Sequence, residues 1–228
     1  MYILHIANKN YSSWSLRPWL LMRMLDIPFS EHIVPFPTGD SFDLYRAVSP
    51  SGRVPCLDDD GWQVWDTLAI VEYLAERHSG VWPAEAKARA WARCAAAEMH
   101  SGFNALRNQC GMSCGVRVEP NPKSAALEHD LFRLGDLWND GLARFGGPFL
   151  AGEHFTAVDA FYAPVAFRAQ TYGLTFTGAA ADYPARLLEL PAMREWYAAA
   201  LAETWREPGH EADIMGAGTI TQDFRAPV

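Results

Sequence analysis

No stretch of this 228-residue chain approaches the run of about 20 apolar residues that crosses a bilayer. Its start, Met1-Tyr2-Ile3-Leu4-His5, lacks the basic segment and long apolar core of a secretion signal, so the sequence reads as cytoplasmic, with no membrane partner. Cysteine is scarce. The four present, Cys56, Cys94, Cys110 and Cys114, are too few for a disulfide scaffold of this length and fit a reducing compartment. Cys110 and Cys114 have no second ligand pair, so they read as structural thiols and no metal is expected. Basic residues are outnumbered, 19 Lys and Arg against 27 Asp and Glu, giving a net charge of -8. That balance argues against nucleic acid as a partner, because phosphate binding needs clustered cations. There is no internal repeat or low-complexity tract.

Half of the residues are apolar, enough for one large or two modest cores. The first eighty residues alternate between the two hydrophobic periods. Tyr2-Ile3-Leu4-His5-Ile6 reads as a strand; Leu16 to Leu25 reads as a helix with Pro18 in its first turn; Ser30 to Phe36 reads as a second strand; and Ser41 to Ala47 reads as a short helix. Pro55-Cys56-Leu57 and Trp62-Gln63-Val64-Trp65 flank an Asp60-Gly61 pair suited to a tight hairpin, and a helix is expected from about Thr67 to His78. Ser79-Gly80-Val81-Trp82-Pro83 interrupts both periods, and an Ala-rich, strand-poor sequence follows. The expected division is residues 1–80, α/β in the order β-α-β-α-β-β-α, and residues 84–228, all-helical, with helices near 84–110, 123–145, 157–172 and 191–203.

Three segments carry chemistry. Tyr11-Ser12-Ser13-Trp14-Ser15-Leu16-Arg17 presents hydroxyls at a helix N-terminus, where unsatisfied N–H groups and the helix dipole favour an anion such as a thiolate; as a structural feature, the same serines read as a cap. Ser49-Pro50-Ser51-Gly52-Arg53-Val54-Pro55 leads from a turn into a strand that opens on proline, so Val54-Pro55 is a candidate cis bond beside a main chain able to pair with a peptide ligand. Asp66-Thr67 begins a helix and could meet both charges of an amino-acid head group, Asp66 the ammonium and Thr67 the carboxylate, or form a simple N-cap.

Taken together, in order and spacing, these segments resemble the glutathione site of the cytosolic glutathione transferase superfamily. Ser12-Ser13-Trp14-Ser15-Leu16-Arg17 is similar to the Ser-Ser-Cys-Ser-x-Arg segment of the zeta class and points to Ser12, whereas the theta spacing points to Ser13. Arg53-Val54-Pro55 resembles the Lys-Val-Pro of the family, and Asp66-Thr67 its Glu/Gln-Ser pair. The resemblance implies a thioredoxin-like N-terminal domain followed by an all-helical domain. It implies glutathione as co-substrate, a small electrophile as second substrate, and a homodimer. A serine hydroxyl would donate a hydrogen bond to the glutathione thiolate without becoming an alkoxide. Trp14 stands where the zeta motif has cysteine, and neither position 12 nor 13 is a cysteine, which counts against an omega-type thiol transferase. The alternatives are a zeta-like glutathione-dependent isomerase and a non-catalytic glutathione-binding or protein-interaction module.

In the second half, Thr156-Ala157-Val158-Asp159 resembles the family's internal capping motif, and loss of Asp159 is expected to cost about 1 kcal/mol as a cap. His100, Phe103 and Arg107 recur at helical spacing and are candidates for one face of an electrophile pocket.

Overall fold

The structure, a computed structural model, describes residues 1–37, 39 and 42–227. The first half builds a four-stranded sheet from β1 (Tyr2–Ile6), β2 (Phe29–Ile33), β3 (Cys56–Asp59) and β4 (Trp62–Val64), in the order β2-β1-β3-β4. The β1–β2 pair is parallel, because helix α1 (Ser13–Met24) crosses over between them; the other pairs are antiparallel. Asp60 and Gly61 both take positive φ, 51° and 92°, and close the β3–β4 hairpin. Helix α2 (Phe42–Arg46) is short, and Ser41, expected as its first residue, lies outside the described residues. Helix α3 (Thr67–Ala75) completes the β-α-β-α-β-β-α order, ending earlier than expected.

Two boundaries near the site differ from the sequence reading. Helix α1 begins three residues earlier than its apolar pattern, because the Ser12 side chain caps it by accepting from the Ser15 N–H. Pro18 therefore sits inside the helix instead of in its first turn, leaving the Trp14 carbonyl without the usual helical donor. Strand β2 ends at Ile33, short of Phe36, whose N–H turns away to the Asn8 side chain at 2.9 Å.

The second half contains α4 (Ala86–Ser101), α5 (Asn104–Gln109), α6 (Ala125–Phe145), α7 (Ala157–Tyr172), α8 (Tyr183–Leu188), α9 (Pro191–Ala202) and α10 (Pro208–Ala217). The single helix expected over 84–110 is two. Gly102 leaves the helical region and Phe103 adopts a left-handed conformation with φ of 58°, so α5 starts in a new direction. A small antiparallel sheet, β5 (Val116–Pro120) with β6 (Gly218–Asp223), joins the otherwise helical half. Each strand is one short alternating run, and the partners lie about a hundred residues apart, beyond the reach of a local pattern.

Helix α7 is buried almost all round and packs against α1, α4 and α8. Its apolar residues therefore fall all round the helix and form no single stripe. Val81 and Trp82 are buried, and the Val81 carbonyl accepts the Ala157 N–H at 2.8 Å, so the connection between the halves is packed. Asp159 is fully buried. Its carboxylate accepts from the Thr156 N–H at 3.0 Å, as expected of a cap, and also from the Leu150 N–H at 3.0 Å and the Tyr183 hydroxyl at 2.7 Å. A loss of about 1 kcal/mol therefore understates its role, since three donors depend on it.

Candidate functional site

Two adjoining cavities lie where the β1–α1 loop, the turn before β3 and the start of α3 meet the helical half. The first, about 540 Å³, is lined by Trp14, Arg53, Val54, Pro55, Trp65, Asp66, Thr67 and His100, among others. The second, about 370 Å³, shares Trp14, Arg53 and Val54 with it, and adds Ser12, Ser13, Tyr11, Arg107, Met112, Arg168 and His210. All the residues singled out in the N-terminal half thus line one or both cavities.

Each first-cavity residue is held by its local structure. The Val54–Pro55 bond is cis. Among the described residues, no hydrogen bond uses the Val54 N–H or carbonyl, which leaves both available to a peptide. Gly52, with φ of 65°, makes the turn that delivers Arg53 and Val54. Asp66 is the N-cap of α3, accepting the Leu68 N–H at 3.2 Å, and its other oxygen lies 3.5 Å from His100 Nε2. Burial pushes the His100 imidazole down, with Arg17 and Arg107 adding to that and Asp66 opposing it. Thr67 has no exposed surface, and among the described residues its hydroxyl has no hydrogen-bond partner. A buried hydroxyl without a partner costs about 1–3 kcal/mol, and this one belongs to a residue that borders the first cavity.

The serines stand at the N-terminus of α1. Ser12 Oγ accepts the Ser15 N–H at 3.4 Å and donates to Ser15 Oγ at 2.7 Å, and Ser15 Oγ in turn accepts the Ala7 N–H at 3.2 Å. The shared proton can lie on either hydroxyl. With it on Ser15, Ser12 accepts two hydrogen bonds and its own proton is free, made a stronger donor by the two it accepts. Ser13 Oγ has no hydrogen bond among the described residues. Tyr11, the other hydroxyl near this loop, is committed: it donates to Glu211 at 2.6 Å, and burial followed by that hydrogen bond pushes its phenol up.

The three helical-half candidates separate. His100 on α4 lines the first cavity, Arg107 on α5 lines the second, and Phe103, in the left-handed link between the helices, is buried in the core. The shared face expected for them is absent because the helix breaks at Gly102. Sequence reasoning missed Arg168, Met112 and His210. Arg168 had a signal, as one charge within the apolar run Ala160–Ala169. His210 had none: it reaches the cavity because the C-terminal segment folds back, stacking His210 on Tyr11 at 5.0 Å and tying Trp205 Nε1 to the Phe36 carbonyl at 2.8 Å.

A thioredoxin-like sheet followed by a helical half, with this cavity at their junction, defines a glutathione-transferase architecture. Residues 11–77 match the family model for the glutathione S-transferase N-terminal domain, and residues 121–199 match that for the C-terminal domain. The chain belongs to the glutathione S-transferase family. It is 25% identical over 221 residues to glutathione S-transferase hmp2 of Hypomyces subiculosus, covering 90% of this chain and 98% of that one. It is 25% identical over 175 residues to a probable maleylacetoacetate isomerase 2 of Drosophila melanogaster, covering 75% of each. A Burkholderia GL BGR1 glutathione transferase homologue, solved with bound glutathione, superposes with a TM-score of 0.65 at 20% identity, covering 87% of this chain and 97% of that one.

Proposed function

We propose that the chain is a glutathione S-transferase in which residues 1–80 bind glutathione, the γ-glutamyl end in the first cavity and the thiol at Ser12–Ser13, while residues 84–228 receive a small electrophile in the second. The observation that carries this reading is the buried, partnerless Thr67 hydroxyl beside the unpaired Val54 main chain, in a cavity that adjoins the serine pair. The α3 N-terminus and Thr67 take the γ-glutamyl carboxylate, Asp66 takes the ammonium, and the Val54 N–H and carbonyl pair with the cysteinyl main chain. Arg53 borders both cavities.

The chemistry is thiolate formation followed by attack. A free thiol of pKa about 8.5 is mostly protonated at neutral pH, and each unit of depression needs about 1.4 kcal/mol of preferential thiolate stabilisation. A Ser12 O–H donor, polarised by Ser15 and set at the positive end of α1, supplies it. Ser13 is the second donor. The thiol proton leaves to solvent, the sulfur–carbon bond forms, and the leaving group departs with the electron pair of the bond that breaks. Titration of glutathione into the native protein and into Thr67→Val tests the reading: weaker binding in the variant supports it, and equal binding contradicts it.

The similarity to maleylacetoacetate isomerases favours a second reading, glutathione-dependent cis-trans isomerisation. Direct isomerisation and conjugation assays separate the two, and glutathione binding without turnover in either would favour a binding module. A cytoplasmic homodimer completes the proposal.

A further inference from the structure

Three arginines converge behind the serine pair, and among the described residues none has an acid within ion-pair distance. Arg17 on α1 has no exposed surface; its guanidinium stacks over Trp14 at 4.1 Å and Phe161 at 5.0 Å, and among the described residues none of its three nitrogens has a hydrogen-bond partner. Arg168 on α7 is 4% exposed; Nε donates to the Cys110 carbonyl at 2.8 Å, and Nη1 is buried without a partner. Arg107 on α5 donates to the carbonyls of Gly102 and Met99 and lies 5.0 Å from the Trp14 ring. Among the described residues no ion pair includes any of the three.

The nearby carboxylates are engaged elsewhere. Glu98 pairs with Arg133, Asp130 accepts the Leu106 N–H, and Asp66 caps α3. Asp213 lines the second cavity but is exposed. An isolated buried cation is costly, and three near one another more so. Burial first, and then the charge of Arg107, pulls Arg168 down to about 10, which still leaves it charged at neutral pH. Arg17 is pulled down by burial and by both neighbours. Asp130 offsets part of the Arg107 charge and Asp66 part of that of Arg17, whereas among the described residues no carboxylate offsets Arg168, so an anion in the second cavity completes the site.

We propose that the second substrate is an anionic electrophile, bearing a carboxylate received by Arg168 and Arg107 in the second cavity while its reactive carbon faces the sulfur at Ser12–Ser13. The planar guanidinium fork suits a carboxylate, and Arg168 offers an uncommitted, desolvated nitrogen to it. The γ-glutamyl carboxylate of glutathione is assigned to the first cavity. The inference rests on the transferase reading, but its test does not need turnover.

The probes are para-nitrobenzoate and para-nitrobenzamide, which share a skeleton and differ in charge. Calorimetric titration of each into the full chain, with and without saturating glutathione, should show the benzoate binding about tenfold tighter or more. Arg168→Gln should abolish that preference, and Arg168→Lys should restore part of it. If Arg168→Gln does not fold, the native preference and its loss in Arg107→Gln carry the test. Equal affinity of the two probes for the native protein overturns the inference, as does a preference that survives in both folded glutamine variants. A parallel glutathione titration keeps the readings apart. Failure of glutathione to bind, with the benzoate preference intact, sinks the transferase reading and supports the anion site.

Discussion

Replacing Ser12 by alanine removes the hydroxyl that caps α1 and that we propose as the donor to the thiolate, and the two roles can be measured separately. As the cap of α1, accepting the Ser15 N–H, its loss costs about 1 kcal/mol of stability. As a donor to the glutathione thiolate, its loss removes a hydrogen bond to a charged group, about 1.5–3 kcal/mol, which raises the pKa of bound thiol by about one to two units. The two effects appear in different assays. Thermal unfolding reads the cap, and the pH dependence of kcat/KM with a neutral chloronitroaromatic reads the thiol. Below the native midpoint the Ser12→Ala rate should fall about 10- to 100-fold, and well above it the two curves should converge, because the thiolate then forms unaided. Glutathione affinity should stay near native, since Val54, Asp66 and Thr67 remain. Ser15→Ala should shift the midpoint less, as it removes only the group that polarises Ser12. If the profile of Ser12→Ala overlays the native one while that of Ser13→Ala moves, the register is corrected to Ser13; if neither moves, the serine mechanism is refuted.

Thr67→Val, nearly isosteric, should raise KM for glutathione about tenfold with little change in kcat at saturation, as a ground-state contact requires. Asp159→Ala should lower Tm by roughly 6–12 °C, because three donors lose their acceptor at about 1 kcal/mol or more each, and an unchanged melting curve would contradict the network. Burial lifts the Asp159 carboxyl from 3.8 to about 6 in the folded protein. Its contribution to stability is therefore full below pH 3.8 and is lost as pH rises through about 6, a change of about 3 kcal/mol that Asp159→Asn should remove from the stability–pH curve. Sedimentation should give twice the 25.4 kDa chain mass, and a concentration-independent monomer would refute the dimer.

Local patterns carried the N-terminal half of the site. Ser12, Val54, Pro55 and Asp66 lie beside turn and cap signals whose physics acts over a few residues, so their placement follows from the chain around them. Arg168 and His210 reach the second cavity through packing between elements far apart in sequence, and β5 pairs with β6 across the helical half. No window of the sequence contains such a relation. The division of His100 from Arg107 was hidden for a different reason: Gly102-Phe103 breaks a helix whose apolar period continues through it, and a left-handed Phe103 has no compositional mark.

Ultraviolet difference titration of glutathione bound to the native protein measures directly whether this site binds glutathione and stabilises its thiolate. A thiolate band should appear with a midpoint at least one unit below the free thiol value of about 8.5. A band that appears only at the free thiol midpoint, or no band at a glutathione concentration shown by calorimetry to saturate the protein, would contradict it.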